Sequence, residues 1–272
     1  MGNFASGTPL TAMAENDTMQ SSREEVYVPV PSLDWPCSEP TIGGRSTLQN
    51  GKQVNSVPAD GIDTEGRMNM RLGIILAMED KIRERILDIK GMGFDNIQLS
   101  FWSPSYYTDH WLTVVQDALQ ETGLELTHFW AGFDPPVAWN FYDGPISVGL
   151  VPEAYRDRRT QQVLKGARFA GRLGVQYVAT HLGFLPEDPN DPLYMGTLIA
   201  VNLIAKQLAG EGQTLLFETG QETPTTLVRA IEDIGTGNLG INFDTANLIL
   251  YGKDLSCRRF CNIKNHRLCK NC

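Results

Sequence analysis

Between Arg71 and Lys253 one pattern recurs six times: a short apolar run, entered through glycine, followed by a longer segment with apolar residues at helical spacing. LGIIL precedes a helix marked by Ile82, Ile86 and Ile89, and the glycines of GMGFDNIQLSF stop that helix and lead into a second strand. Trp111, Val114, Val115, Ala118 and Leu119 share one helical face, Gly123 ends it, and LELTHFW follows as the third strand. Pro152 opens a long helix through Arg172, Gly174 closes it, and VQYVATH is the fourth strand. A helix over Leu198–Leu208, a turn at EGQ and the strand TLLFE make the next unit; Thr223 and Pro224 then cap and start a helix ending near Gly235, before LGINFD.

Near-continuous apolar strands alternating with helices imply parallel pairing, because crossover helices cover such a sheet on both faces. A closed barrel and a doubly wound sheet both fit that description. The first strand is followed by AMEDKI rather than a glycine-rich phosphate turn, which favours an α/β barrel of the (β/α)8 TIM type, here with about six βα units.

The flanks differ from this body. Residues 1–67 are rich in Gly, Pro, Ser and Asn with few apolar clusters, and read as a disordered N-terminal arm, with Met68 or Met70 at the start of the folded unit. The barrel region is therefore 68–253. Residues 254–272 form an atypical tail with Cys257, Cys261, Cys269, Cys272 and five basic residues, for which zinc binding is an alternative reading. A net charge of −9 argues against nucleic acid as a partner, since a polyanion demands a surplus of Lys and Arg. No apolar run reads as a membrane span of about 20 residues, and the first residues lack a signal-peptide pattern. A cytoplasmic protein without membrane contact is the expectation, the middle of the chain holding no cysteine.

The chemistry is expected where the strands end: Ser100, His128, His181, Glu218 and Asp244 in turn. In a (β/α)8 barrel those ends converge on one mouth, which carries the active site. Two carboxylates with one or two imidazoles make a hard, oxygen-rich site suited to a divalent metal, Mn²⁺, Mg²⁺, Co²⁺ or Zn²⁺. A single Asp or Glu after a strand serves equally well as a helix cap or loop acceptor. Glu218 and Asp244 end successive apolar strands, however, and two such charges facing burial call for a metal or a cation. His181 reads either as a core histidine or as a metal or substrate group, and His128 is a weaker candidate of the same kind. His110, at a helix start, reads as surface. The loops WSPSYY and AGFDPPVAWNFYDGP bring Trp102, Tyr106, Trp130, Trp139, Phe141 and Tyr142 near the same mouth, where aromatic rings suit the C–H faces of a sugar. Trp102, His181 and His128 are the candidate substrate contacts.

THLGFLPEDPNDPLY, LLFETGQET and INFDTANLILYGK resemble, in order, strand-end motifs of the xylose isomerase-like TIM-barrel family of sugar phosphate isomerases and epimerases, and the likeness runs from about Met70 to Lys253. The resemblance implies an eight-stranded barrel with one divalent metal held by Glu, Asp, His and Glu from the last four strands. Glu218 and Asp244 match the first two ligands, and Glu218 would also transfer protons. It implies a sugar or sugar phosphate as the small-molecule partner. After Lys253 the chain departs from the family: the seventh-strand histidine and eighth-strand Glu are absent from DLSCRRFCNIKNHRLCKNC, as in a barrel truncated before its last two strands. Three readings follow: an isomerase or epimerase, a catalytically silent incomplete barrel whose open edge associates, for example with a second copy, and a hydrolase resembling abasic-site endonucleases, which acidity and few histidines disfavour.

Overall fold

The computed structural model describes residues 71–253. The expected N-terminal arm and the Cys-rich tail with its zinc alternative lie outside the described residues. Within them, six strands form one parallel sheet in sequential order: β1 (Ile74–Ala77), β2 (Asn96–Phe101), β3 (Glu125–Ala131), β4 (Tyr177–Thr180), β5 (Thr214–Glu218) and β6 (Leu239–Asn242). The connections are α1 (Ile82–Gly91), α2 (Asp109–Thr122), a short α3 (Gly144–Ser147) with α4 (Glu153–Arg172), α5 (Pro192–Gly210) and α6 (Pro224–Ile234); α7 (Thr245–Leu250) follows β6. This α/β architecture with strands in chain order is that of a TIM barrel, as the apolar pattern predicts.

The helix boundaries follow from local chemistry. Thr108 and Thr223 cap α2 and α6 by accepting the amides of Trp111 and Thr226, and Asp191 caps α5 by accepting that of Leu193. Pro192 and Pro224 occupy the first helical positions, where the missing N–H costs nothing. At the far ends, Gly123 (φ 66°) and Gly235 (φ 62°) take the left-handed conformation that closes α2 and α6. The helix expected over Leu198–Leu208 starts earlier, at Pro192, because the Asp191 cap and the proline fix its first turn.

By length and composition α5 is apolar enough to cross a membrane, contrary to the expectation from the sequence that no segment approaches that size. Its Tyr194, Thr197, Leu198, Val201, Ile204, Ala205 and Leu208 are buried in the fold, which gives the composition a core explanation.

The sheet separates two apolar layers. One face, with Leu99, Phe101, Phe129, Val178, Leu215, Phe217 and Ile241, packs under the helices in a large core shared with Ile86, Val115, Val163, Val201 and Leu227. The alternate residues Trp130, Ala179 and Leu216, with Tyr177, form a separate small cluster on the other face. Register places Ser100, Trp130, Ala179, Leu216 and Gly240 side by side across five strands. Two residues further on from each, on the same side, come Trp102, Gly132, His181, Glu218 and Asn242.

Two loops beside this mouth interlock. A Cβ on Gly149 (φ 74°) would lie 2.0 Å from the Leu182 carbonyl oxygen, and one on Gly183 (φ 97°) 2.1 Å from that of Val148. Only glycine permits both the left-handed backbone and the close approach, across which Leu150 N–H donates to the Leu182 carbonyl at 2.7 Å. Arg159, fully buried on α4, reaches the same loop, donating to the carbonyls of Gly149 (2.8 Å), Pro136 (2.7 Å) and Asp134 (3.3 Å) while lying over the Phe133 and Tyr155 rings.

Candidate active site

Glu218 is the last residue of β5, and its carboxyl group stands at the mouth. It is buried, and its Oε2 accepts from the indole Nε1 of Trp130 on β3 at 3.0 Å and from Nδ2 of Asn242, its register partner on β6. Burial pushes the Glu218 carboxyl up to about 8; the Asn242 bond works against this, the neighbouring Asp244 charge adds to it, and the Trp130 bond again opposes it. Asp244 is near enough to act on Glu218 by charge and by hydrogen bond.

Asp244 also fulfils the alternative reading. It is the N-cap of α7, its Oδ1 accepting the Asn247 amide at 2.9 Å. Its backbone is clamped to the end of β5: Thr219 Oγ1 accepts from the Asp244 amide at 2.8 Å and donates to the Asp244 carbonyl at 3.0 Å, and the Thr219 amide donates to the Asn242 carbonyl at 3.0 Å. One threonine thus fixes the spacing of the two carboxylates.

Aromatic rings wall the pocket. Trp102 tilts against Trp130 at 4.4 Å between centroids and meets Trp139 edge-on at 5.8 Å. His181, directly after β4, is buried between Trp139 (4.8 Å) and Trp130 (5.3 Å), and its Nδ1 has no hydrogen-bond partner. Burial lowers its pKa to about 3, so the imidazole is neutral at ordinary pH. Trp102 and His181 thus stand where the sequence places them.

His128 does not stand at a strand end. β3 continues to Ala131, so His128 lies one layer deeper, in register with Gln98 and Tyr177 and stacked on the Tyr177 ring at 5.3 Å. The level of the mouth belongs to Trp130. Of the other loop aromatics, Phe141 packs on Tyr251 and Phe184, Tyr106 bonds Asp80, and Tyr142 is 90 % exposed. His110 is exposed, as expected.

Among the described residues no three His, Cys, Asp or Glu side chains gather closely enough to hold a metal ion. Glu218 and Asp244 do fit as two of the donors for a hard divalent cation: both present carboxylate oxygen, and their mutual repulsion in a buried site is what a cation relieves. The histidine and final Glu that the resemblance implies are not among the described residues.

Asn242, Thr219 and the Trp130 donor are features of the mouth that local patterns do not reveal, because each acts across the sheet rather than along the chain. Two more polar residues lie shortly after Glu218. Gln221 and Glu222 are buried in the loop from β5 to α6, with neither end of the Gln221 amide bonded and neither Glu222 carboxylate oxygen bonded beyond the residue's own amide.

The family model described as Xylose isomerase-like TIM barrel matches residues 86–269, more than half of the chain. Among solved structures, a xylose isomerase domain protein from Planctomyces limnophilus is 26 % identical with a TM-score of 0.62, the match covering 69 % of each chain. A 3-keto-D-glucoside 4-epimerase from E. coli (17 % identity, TM-score 0.51, 70 % of this chain and 74 % of that one) and a D-psicose 3-epimerase solved in the presence of D-fructose (19 %, 0.50, 66 % and 65 %) share the fold. No curated protein sequence matches the chain.

Proposed function

Because the chain belongs to the xylose isomerase-like TIM-barrel family, we propose that it is a sugar isomerase or epimerase in which Glu218 moves a proton on the carbon next to a carbonyl. The observation that carries this reading is a buried carboxyl at the barrel mouth, adjoining a second carboxyl and walled by indole rings. A proton acceptor works best when its pKa lies near the working pH; burial raises the Glu218 carboxyl, and a bound cation would draw it down again. Trp130 and Asn242 both engage Oε2, so they orient the carboxyl and leave Oε1 to carry the transferred proton. Trp102, Trp139 and neutral His181 exclude water and offer flat apolar faces to a sugar ring. A divalent cation held by Glu218 and Asp244 would supply Lewis-acid polarisation of the sugar carbonyl and its neighbouring hydroxyl.

The test is solvent deuterium exchange at the carbon α to the carbonyl of a ketose, followed by NMR with the full chain and Mn²⁺. Exchange by the wild type and its loss in Glu218→Gln, with an unchanged circular dichroism spectrum, is the expected result. Exchange that persists in Glu218→Gln removes the assignment. A second reading, a silent barrel, draws on the presence of only two clustered donors among the described residues. Titration with Mn²⁺ separates the two: one tight site with exchange supports the enzyme, and no binding supports the silent barrel.

A further inference from the structure

The core accounts for one face of α5 and leaves the other bare. Tyr194, Val201, Ile204 and Leu208 are buried, whereas Met195, Ile199 and Leu203 are 55 %, 65 % and 52 % exposed. Single apolar residues scattered over a surface need no explanation, but these three recur at i, i+4 and i+8, so they stack into one continuous ridge on the outside of the protein. Pro192 extends the ridge at its start. The helices packed on either side differ: the exposed residues of α4 include Asp157, Gln161 and Arg168, and those of α6 include Glu232 and Asp233. An apolar ridge between two polar banks has the profile of an interface with its rim.

The order of residues along the ridge identifies its occupant. From Pro192 to Lys206 the exposed positions are 192, 195, 199, 203 and 206, a spacing that reads the same from either end about Ile199. Two copies of α5 laid antiparallel about a two-fold axis at Ile199 therefore set Ile199 against itself and Met195 against the partner's Leu203. The ends match by charge. Lys206 closes the ridge at its C-terminal end, Asp188 and Asp191 stand at its N-terminal end, and antiparallel pairing brings the unlike ends together. Glu211, the acidic residue beyond Lys206, lies instead against Gly171 of α4. A lipid surface fits the ridge less well: an interfacial helix is rich in Lys and Arg on its polar face, α5 has Lys206 alone, and a chain of net charge −9 is repelled by anionic lipid.

We infer that the outer face of α5 is an interface between two copies of this chain, packed antiparallel about Ile199. One helix face with its rim is smaller than the roughly 800 Å² per partner of a standard stable interface, so the dimer is reversible, with dissociation in the range of about 1–100 µM. This face is on the outside of the helix layer, so the dimer can fail while the proposed reaction stands.

The experiment is sedimentation velocity of the full chain over about 1–300 µM, a span that brackets the expected dissociation. The wild type should pass from monomer to dimer as concentration rises. Met195→Lys and Leu203→Glu should each weaken the dimer by roughly tenfold or more, since each places an unpaired charge in the contact twice over. The double variant Met195→Lys/Leu203→Glu should recover most of that loss, because antiparallel packing faces each lysine with the partner's glutamate, whereas within one helix the two positions stand about 12 Å apart along the axis. Both side chains are exposed in the monomer, so the melting temperatures of dilute samples should barely change. A wild type that stays monomeric, as it would if another segment of the same chain covered α5, overturns the inference. A dimer indifferent to both single variants does the same, as does a double variant that stays monomeric, or a monomer that co-sediments with phosphatidylcholine vesicles and loses this with Met195→Lys. Hydrogen exchange of the wild type needs no substitution: peptides across residues 192–206 should exchange more slowly in the dimer than in the monomer, and protection confined to other segments also overturns the assignment.

Discussion

Replacing Glu222 with Gln should make the protein more stable, by an amount that grows as pH rises above about 4.5. Burial pushes the Glu222 carboxyl from an ordinary 4.5 up to about 8, opposed by its own amide and by Lys253 and reinforced by Glu187 and Glu218. Between those two values the folded chain keeps a proton that the unfolded chain has released. Folding stability therefore falls as pH rises through this window, by about 1.4 kcal/mol per unit, and reaches an upper bound on the order of 4–5 kcal/mol at pH 8. Glutamine cannot ionise, so this slope disappears. Urea unfolding of wild type and Glu222→Gln, followed by tryptophan fluorescence, should give similar free energies at pH 4.5 and a variant more stable by a few kcal/mol at pH 8. Glu218 is raised too and acts on Glu222 by charge, so the same comparison in a Glu218→Gln background isolates Glu222. Parallel stability curves across this pH range would refute the claim that the group is buried without compensation.

Two substitutions test the support of Glu218. Trp130→Phe keeps a ring against Trp102 and His181 but removes the donor to Oε2; it should cost about 1–3 kcal/mol where Glu218 is ionised and move the pH profile of α-proton exchange upward, and an unmoved profile would show that the bond does not tune the carboxyl. Thr219→Val strips both bonds from the Asp244 backbone, so a loss of about 1–3 kcal/mol by chemical denaturation should accompany weaker Mn²⁺ binding by calorimetry; unchanged values for both would mean that the clamp is redundant.

Much of this fold is legible in the sequence because its punctuation is chemical. Gly123 and Gly235 end helices by adopting a backbone that other residues resist, and Thr223–Pro224 starts one with a cap and a preset φ. Glu218 is legible for the opposite reason, being a charge that ends an apolar strand. Legibility fails where one residue does two jobs or where the partner is remote. Asp244 reads either as a cap or as a pocket carboxylate; it caps α7 and also acts on the Glu218 carboxyl, so no local rule could choose. Arg159 on a helix reads as solvated, but its carbonyl partners lie in a loop that the helix pattern does not contain. Trp130 meets Glu218 across 88 residues of chain, a pairing set by strand order. His128 fails by position: the run LELTHFW already continues past the histidine, and the pairing carries β3 one residue further, to Ala131, so the strand end lies beyond His128.

That pairing is also what turns an ordinary apolar strand into a catalytic candidate. In β5, Leu215 and Phe217 face the helix layer while Leu216 and Glu218 face the other side. A slip of one residue would drive Phe217 into the mouth and Glu218 into the main core, where no Trp130 or Asn242 waits to bond it. The register is held at both ends. Before β6, Asn238 donates through Nδ2 to the carbonyls of Gln213 (3.1 Å) and Ala205 (2.8 Å), tying its start to β5 and α5. At the mouth, Thr219 ties the end of β5 to Asn242 and Asp244. Neither clamp touches the Glu218 carboxyl itself, yet together they set which face it occupies and how far it stands from Asp244. The position of the candidate base is thus a property of backbone pairing fixed by two neutral side chains, and changes in its chemistry should follow changes in either clamp.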